Sequence, residues 1–198
     1  MDLPKRGQRY TPEEYYRLER AAEFKSDYYQ GAISAMSGGT IRHSLITANL
    51  VGEIGQRLKG KPCTVFESNL RMRIKATGLR TYPDASVYRD PPERDAEDSA
   101  GETLTNPTVL FEVLSKSTEA YDRGLKSENY RRIESLRAYV LVSQNAPHAE
   151  VYERQADARW LLNEARGLDA VLTIAAIGVE LRLEDLYYRV DFNAPDGD

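Results

Sequence analysis

The sequence predicts an α/β or α+β domain in which helices pack against a mixed central β-sheet. Two near-continuous apolar runs, TVLFEVL at residues 108–114 and AYVLVSQ at 138–144, are typical of strands that are buried on both faces. Capped or amphipathic segments at residues 11–21, 41–59 and 118–134 indicate helices. Because strands dominate the middle and the end of the chain while helices separate them, a sheet covered by helices is expected.

The composition is that of a soluble globular protein and argues against several other classes. With 198 residues, 41% of them hydrophobic, the chain is expected to form one domain whose core spans about residues 10–190. A net charge of −4 argues against a histone-like nucleic-acid binder, although a local basic cleft stays open. Cys63 is the single cysteine, and His43 and His148 are isolated, so neither a disulfide nor a cysteine- or histidine-based metal centre is expected.

Membrane and export signals are not apparent in the sequence. No apolar run approaches the roughly 20 residues that span a bilayer. The N-terminal stretch MDLPKRGQRYTPEEYY lacks the apolar segment of a signal peptide. A cytoplasmic protein that does not enter the membrane is therefore expected.

The N-terminal region predicts a helix and then a β-hairpin. Thr11 can cap the helix, Pro12 suits its first turn, and Glu14 stands three residues after Thr11 as in a capping box. The stretch EFKSDYYQGAISAMSGG, with Gly31 at a turn, is typical of a hairpin. The helix expected at 41–59 has an apolar face predicted to point inward, made of Leu45, Ala48, Val51, Ile54 and Leu58.

Short strands and one long loop are expected in the rest of the chain. CTVFES, LRMRI, DASVYR, AEVYERQ and RWLLNEA each indicate a strand. The stretch DPPERDAEDSAGETLTNP is rich in acids, proline and glycine and predicts a solvated loop. Ser117 or Thr118 is expected to cap a helix that runs to about Glu134, and the tail from about Asp191 is expected to fray.

Two carboxylates occupy strand positions that would favour apolar residues. Asp84 opens the run DASVYR, and Glu112 lies inside TVLFEVL, where alternation places it on one face with Leu110 and Leu114. A buried ionised carboxylate is costly unless it gains a partner, a metal or a raised pKa. Glu112 could instead be a strand-end glutamate paired with an arginine, and Asp84 a turn residue after Pro83. Taken together, two carboxylates on neighbouring strands form the all-oxygen site that Mg²⁺ accepts.

Lys126 is a third candidate for this site. In DRGLKSENYRRI it shares a helical face with Tyr130 and Ile133, so its stem can lie against the sheet and its ammonium can position a phosphate or a water. The alternative is an ordinary solvated lysine on a helix.

These motifs resemble one known family. Pro83-Asp84, then FEVLS, then STEAYDRGLKSENYRRI and then LRAYVLVSQ are similar in kind and order to the Uma-type restriction endonucleases of the PD-(D/E)XK nuclease superfamily. The resemblance extends from about residue 10 to residue 190. It implies a restriction-endonuclease-like mixed central β-sheet flanked by helices.

The resemblance also implies roles for individual residues. Asp84 and Glu112 would hold Mg²⁺, or Mn²⁺, with the backbone carbonyl of Val113 as a further ligand. Glu23, in AAEFKSDYYQG, matches the acid that the superfamily often supplies from its first helix or the following strand.

The chain departs from the superfamily pattern at Leu114, which stands where a lysine is expected two residues after Glu112. Lys126 is then the migrated substitute, and replacing it by alanine is expected to leave the fold and metal binding nearly intact. Gln144 occupies a position where some relatives keep a polar group near the site. His43 is expected to be a histidine on the surface of a helix.

The function favoured by these residues is Mg²⁺-dependent endonuclease action on DNA. Asp84 and Glu112 would hold the ion, Lys126 would orient water or phosphate, and Glu23 would bind water or a second ion. A catalytically silent nuclease-fold module for interaction or DNA binding stays open, as does a metal-dependent enzyme on a non-nucleic substrate. Cutting both strands needs two sites, so a C₂ homodimer is expected. Basic side chains that can contact phosphates, or else form ordinary solvated surface, are Arg71, Arg73, Lys75, Arg80, Arg123, Arg131 and Arg132.

Overall fold

The computed structural model describes residues 7–36 and 38–195. The strands are β1 (Ser26–Tyr29), β2 (Ala32–Ala35), β3 (Cys63–Glu67), β4 (Arg71–Arg73), β5 (Arg80–Thr81), β6 (Ala85–Arg89), β7 (Thr103–Leu104), β8 (Val109–Leu114), β9 (Ala138–Ser143), β10 (His148–Arg154), β11 (Trp160–Arg166), β12 (Val171–Ile174) and β13 (Val179–Arg182). The helices are α1 (Pro12–Ala21), α2 (Ile41–Leu58), α3 (Glu119–Tyr121), a π-helical turn (Asp122–Lys126), α4 (Ser127–Tyr130), a 3₁₀ turn (Ala175–Ile177) and α5 (Leu183–Leu186).

A six-stranded mixed sheet forms the centre of the fold, in the order β11-β10-β9-β8-β6-β3. β8 pairs parallel with β9, whereas the other neighbours in this sheet pair antiparallel. Every residue of β8 is buried, because helices or other strands cover both faces of the sheet. The mixed sheet and the two buried strands agree with the sequence prediction.

The two faces of the sheet carry separate hydrophobic clusters. On one face α2 and the β12–β13 hairpin pack over Val109, Phe111 and Val113 of β8. On the other face Tyr130 of α4 packs with Leu110 and Leu114. Since successive side chains of a strand point to opposite faces, Glu112 lies on the same face as α4.

The buried side of α2 differs from the prediction. The residues that reach the core are spaced four apart, namely Ile46, Leu50, Ile54 and Leu58. Ile54 and Leu58 were expected, but Leu45 and Val51 are only partly buried and Ala48 is exposed. Of the predicted stripe, Ala48 and Val51 lie on the neighbouring side of the helix, which borders a cleft.

The helix expected over residues 118–134 is interrupted and shorter than predicted. It consists of α3, the π-helical turn and α4, so it ends at Tyr130. Thr118 stands at the N-terminus but makes no capping hydrogen bond through its own side chain. Instead, the Oγ of Ser115 accepts the N–H of Thr118 at 3.2 Å. The extra residue of a π turn is invisible to a pattern based on 3.6 residues per turn.

The acidic stretch after β6 is largely exposed, as its composition predicts, but two buried aspartates and β7 attach it to the rest of the fold. It contains β7, which pairs parallel with β4 in a five-stranded sheet of order β2-β1-β5-β4-β7. Asp95 and Asp98 are buried and accept hydrogen bonds from Arg73 at 2.7 Å and Arg71 at 3.0 Å, respectively. Because opposite charges neutralise each other here, the loop folds onto the sheet.

The C-terminal region adds elements that the sequence pattern does not reveal. β12, β13 and α5 close one face of the central sheet. The tail is docked as far as Ala194, whose carbonyl accepts a hydrogen bond from Arg42 at 2.8 Å, so the expected fraying is wrong over that part. Residues 196–198 of the predicted frayed tail and residues 1–6 of the N-terminal stretch lie outside the described residues. Among the helices that the structure describes, none is both long and apolar enough to cross a bilayer.

Candidate active site

A cavity of about 590 Å³ opens where β6 and β8 meet the N-terminus of α2 and the π-helical turn. Its charged or ionisable lining includes Asp27, His43, Asp84, Glu112, Asp122 and Lys126. Three of the four predicted catalytic residues, Asp84, Glu112 and Lys126, therefore share one cavity. The fourth, Glu23, does not line it.

Asp84 connects three elements at the mouth of the central sheet. It directly precedes β6, and its Oδ2 accepts the backbone N–H of Val113 in β8 at 2.7 Å. The same oxygen lies 3.2 Å from Nε2 of His43 in α2. Among the described residues no hydrogen bond to Oδ1 is found, so this oxygen is available to a ligand. The alternative of a turn residue alone does not account for these contacts.

Val113 contributes to the site through its backbone. The predicted ligand is its carbonyl, but the contact observed is the N–H donated to Asp84, and Val113 is not among the residues that line the cavity. A role for the Val113 carbonyl as a ligand stays a prediction.

Glu112 is 2% exposed in the middle of β8. Its Oε1 accepts the hydroxyl of Tyr130 at 2.7 Å and lies 3.1 Å from Nζ of Lys126. Burial raises its pKa well above the ordinary range, and the charges of Asp122 and Asp84 add to this, whereas Lys126 and Tyr130 act in the opposite direction. The alternative of a strand-end glutamate paired with an arginine is wrong, because the partner is a lysine.

Lys126 ends the π-helical turn and is 4% exposed. Its ammonium lies 3.1 Å from both Oε1 of Glu112 and Oδ1 of Asp122. Burial acts to lower the pKa of Lys126, but the charges of Glu112, Asp122 and Asp27 outweigh it and raise the pKa above its ordinary value. The alternative of a solvated helix lysine is therefore wrong. Asp122 and Lys126 are four residues apart in the π turn, so their side chains meet beside Glu112.

The acid that reaches the cavity from the first strand is Asp27 rather than Glu23. Glu23 lies exposed in a bend between α1 and β1, beside a neighbouring cleft that it shares with Asp84 and His43. Asp27 lies in β1 and lines the cavity, and its buried Oδ1 has no hydrogen-bond partner. Burial is the main cause that raises the pKa of Asp27. A carboxylate inside a predicted hairpin strand is the same signal that singled out Asp84 and Glu112.

His43 is not the surface histidine that the sequence suggests. Its backbone N–H donates to Oγ1 of Thr40 at 3.1 Å, which places it in the first turn of α2. Its imidazole is 17% exposed and contacts Asp84. A Cβ on Gly39 would lie 2.8 Å from Nδ1 of His43, so only glycine leaves room for this ring position. Burial acts to lower the pKa of His43, but the hydrogen bond and charge of Asp84 raise it overall.

Gln144 stands behind the site rather than in it. It is fully buried at the end of β9, and its Oε1 accepts the hydroxyl of Thr40 at 3.4 Å. Because Thr40 caps α2, Gln144 supports the turn that carries His43.

The charge of the cavity suits a hard divalent cation. Four carboxylates, from Asp27, Asp84, Glu112 and Asp122, face two basic side chains, and Oδ1 of Asp27 is an orphaned buried acceptor. No group of three or more His, Cys, Asp or Glu side chains among the described residues is arranged to hold a metal ion. Mg²⁺ keeps several waters and needs one or two protein carboxylates, so the pair of Asp84 and Glu112 fits it.

Several known proteins are similar to this chain. The model of the Uma2 family, described as "Putative restriction endonuclease", matches residues 12–184. "Uncharacterized protein slr1290" of Synechocystis sp. is 35% identical over 182 residues, which cover 92% of this chain and 93% of that protein. "Uncharacterized protein sll1609" of the same organism is 32% identical over 160 residues, which cover 81% and 89%.

One solved structure resembles the fold closely. The crystal structure of "a putative nuclease belonging to DUF820" from Anabaena variabilis superposes with a TM-score of 0.72 and covers 90% of this chain and 97% of that one. At 20% sequence identity this similarity bears on the fold alone. It confirms the predicted fold class, a mixed sheet flanked by helices of the restriction-endonuclease-like type.

Proposed function

The chain belongs to the Uma2 family, and from this premise we propose that it is a metal-dependent endonuclease that hydrolyses phosphodiester bonds of DNA. The observation that carries the proposal is the meeting of Asp84, Glu112 and the buried ammonium of Lys126 in one cavity. A silent interaction module would gain nothing from burying these charges, which costs several kcal/mol per ion. Catalytic sites commonly contain buried charged side chains despite this free-energy cost, because their shifted pKa values serve the reaction.

Asp84 and Glu112 would hold Mg²⁺ or Mn²⁺. Asp84 offers its Oδ1, since Oδ2 is engaged by Val113 and His43. When bound, the ion would supply Lewis acidity that lowers the pKa of water and offsets charge developing on the scissile phosphate.

The chain's own residues would orient the reactants. Lys126, 3.1 Å from Glu112, can position the attacking water or a phosphate oxygen with a compact charge. Asp27 would take the role that the family resemblance implies for Glu23, because its carboxylate lies in the cavity wall and can accept a hydrogen bond from water. Glu23, at the neighbouring cleft, would contact the substrate strand beyond the reacting phosphate.

Contacts to the phosphate backbone would come from fewer basic residues than the sequence suggests. Arg71 and Arg80 are buried in ion pairs with Asp98 and Glu97, so they cannot reach DNA. Arg131 and Arg132 are exposed, and among the described residues neither forms an ion pair. They line a surface groove with Arg123, on the helical segment that also carries Lys126, and would bind phosphates there. The homodimer expected from double-strand cleavage stays a prediction.

Plasmid cleavage with and without Mg²⁺ or Mn²⁺ tests the proposal. The protein is expected to nick or linearise supercoiled DNA only with the metal, and to stop on addition of EDTA. Asp84→Asn should be inactive, whereas Asp90→Asn, an exposed aspartate at the end of β6, should cut like wild type. Cleavage that is unaffected by EDTA, or that persists in Asp84→Asn, would refute the proposed chemistry. DNA binding without any cleavage would favour the silent module.

His43 is expected to support metal binding by fixing the carboxylate of Asp84. His43→Ala removes one of the two contacts that hold Oδ2 of Asp84, and loss of such a supporting contact typically costs about 10- to 100-fold in metal affinity. His43→Gln should recover part of the loss because its amide can still donate to Asp84. Titration calorimetry with Mn²⁺ measures both variants, with His148→Ala as the control. Equal Mn²⁺ affinity in wild type and His43→Ala would contradict this role.

A further inference from the structure

A second cleft continues from the candidate active site on the other side of Asp84. It measures about 700 Å³, and Met36, His43 and Asp84 belong to the linings of both spaces. The two spaces are therefore neighbours, and Asp84 borders both of them. A strand whose scissile phosphate lies at Asp84 can therefore place an adjacent nucleotide in this second cleft.

Phe24 forms part of the wall of the second cleft and is 75% exposed. The adjacent residue is held in place, because Nζ of Lys25 donates to the carbonyl of Ser68 at 2.8 Å and to Oδ1 of Asn69 at 3.2 Å. The same ammonium lies 5.5 Å from the centre of the Tyr82 ring. The ring of Phe24 therefore presents an exposed apolar surface at the cleft, on a segment that the side chain of Lys25 ties to Ser68 and Asn69.

The rest of the second cleft offers a mixture of apolar and polar groups. Ala48 and Val51 of α2 line this cleft, and Val51 also packs against the core. Ser44, Ser68 and Asn69 add hydroxyl and amide groups at its edge. A volume of this size is typical of a small-molecule site and can hold one nucleoside, although the carboxylates of Glu23 and Glu67 also belong to the lining.

We propose that this cleft binds a nucleobase adjacent to the scissile phosphate by stacking on Phe24, so the substrate is unpaired at that nucleotide. The inference rests on the proposed function and narrows its substrate to single-stranded, frayed or flipped DNA. A base inside a duplex is stacked on its neighbours and cannot meet the ring. Stacking on an aromatic side chain accepts any base, so the cleft selects for an unpaired nucleotide rather than for a sequence.

Binding of two fluorescent 12-mers separates base stacking from phosphate contacts. One is oligo-dT, and the other is a chain of stable abasic sugar-phosphates with the same charge. Affinities are measured by anisotropy in Ca²⁺, with strand integrity checked on a gel. Phe24→Ala should weaken oligo-dT binding by roughly tenfold or more and leave abasic binding within about twofold. Phe24→Trp should bind oligo-dT like wild type, as should Tyr188→Ala, which removes an aromatic ring that is 59% exposed and lies outside both clefts.

Three outcomes would overturn the stacking proposal: equal oligo-dT affinity in Phe24→Ala and wild type, equal loss on both oligomers, or wild-type binding to duplex DNA with none to oligo-dT. If metal-dependent plasmid cleavage survives any of them, the nuclease function stands and the stacking site fails. If wild type cuts no plasmid and binds neither oligomer nor duplex, both proposals fail.

Discussion

Replacement of Lys126 by methionine is expected to slow DNA cleavage by roughly 10²-fold or more and to destabilise the metal-free protein by about 3–5 kcal/mol. The first effect follows from the loss of one fixed charge at the reacting phosphate. The second follows because the ammonium lies 3.1 Å from each of two buried carboxylates, Glu112 and Asp122, which would lose their counter-charge. The sequence alone predicts that an alanine variant keeps a nearly intact fold, whereas the burial of this ion pair predicts a loss of stability.

Cleavage rates at saturating Mg²⁺ and urea unfolding curves at pH 7 measure the two effects. Lys75→Met is a matched control, because its side chain is 59% exposed and pairs with Glu93 at the surface. Its stability should change by no more than about 1 kcal/mol. Lys126→Arg should rescue stability better than activity, since a guanidinium keeps the charge but not the compact shape. Wild-type cleavage by Lys126→Met would show that another cation serves the site.

The two acids in the sheet were predictable from the sequence because their signal lies within single strands. A carboxylate among Val, Leu and Phe is costly wherever the strand packs, so Glu112 needs a partner in almost any fold. Alternation along β8 also fixed the face on which Glu112 lies. The same reasoning applied to β1 would have found Asp27.

The contacts of His43 and of the buried Arg71 were not predictable because their partners lie far away in the sequence. His43 meets Asp84 across 41 positions, and Arg71 meets Asp98 across 27. Charge counts cannot distinguish a solvated acidic loop from one that neutralises buried arginines. The π turn was not predictable either, because one residue inserted into a helix does not show in the spacing of the apolar residues.

Substitution of Glu112 by glutamine is expected to abolish cleavage and to remove both the pH dependence and the metal dependence of stability that this site produces. Glu112 has a folded-state pKa raised by burial, so the folded protein holds its proton more tightly than the unfolded chain does. Glu112 therefore adds to the free energy of unfolding at low pH. This stabilisation is lost as the pH rises from about 4.3, the ordinary pKa of glutamate, through the raised value. Lys126 also has a raised pKa, so its stabilising effect on the folded state persists at neutral pH.

A divalent cation should reverse this loss, because it binds the ionised carboxylate in the folded state only. At pH 7 the free energy of unfolding of wild type should rise by about 2.7 kcal/mol when the metal concentration is 100 times its Kd, and the same metal concentration should give a smaller rise at pH 5. Melting temperatures against pH, with and without Mn²⁺, measure both effects. Glu112→Gln should show a flatter pH profile and no Mn²⁺ shift, whereas Glu180→Gln, on the exposed side of β13, should match wild type. A Mn²⁺ shift of equal size in Glu112→Gln would mean that the ion binds elsewhere, because a neutral amide cannot replace the charge of the carboxylate that anchors it.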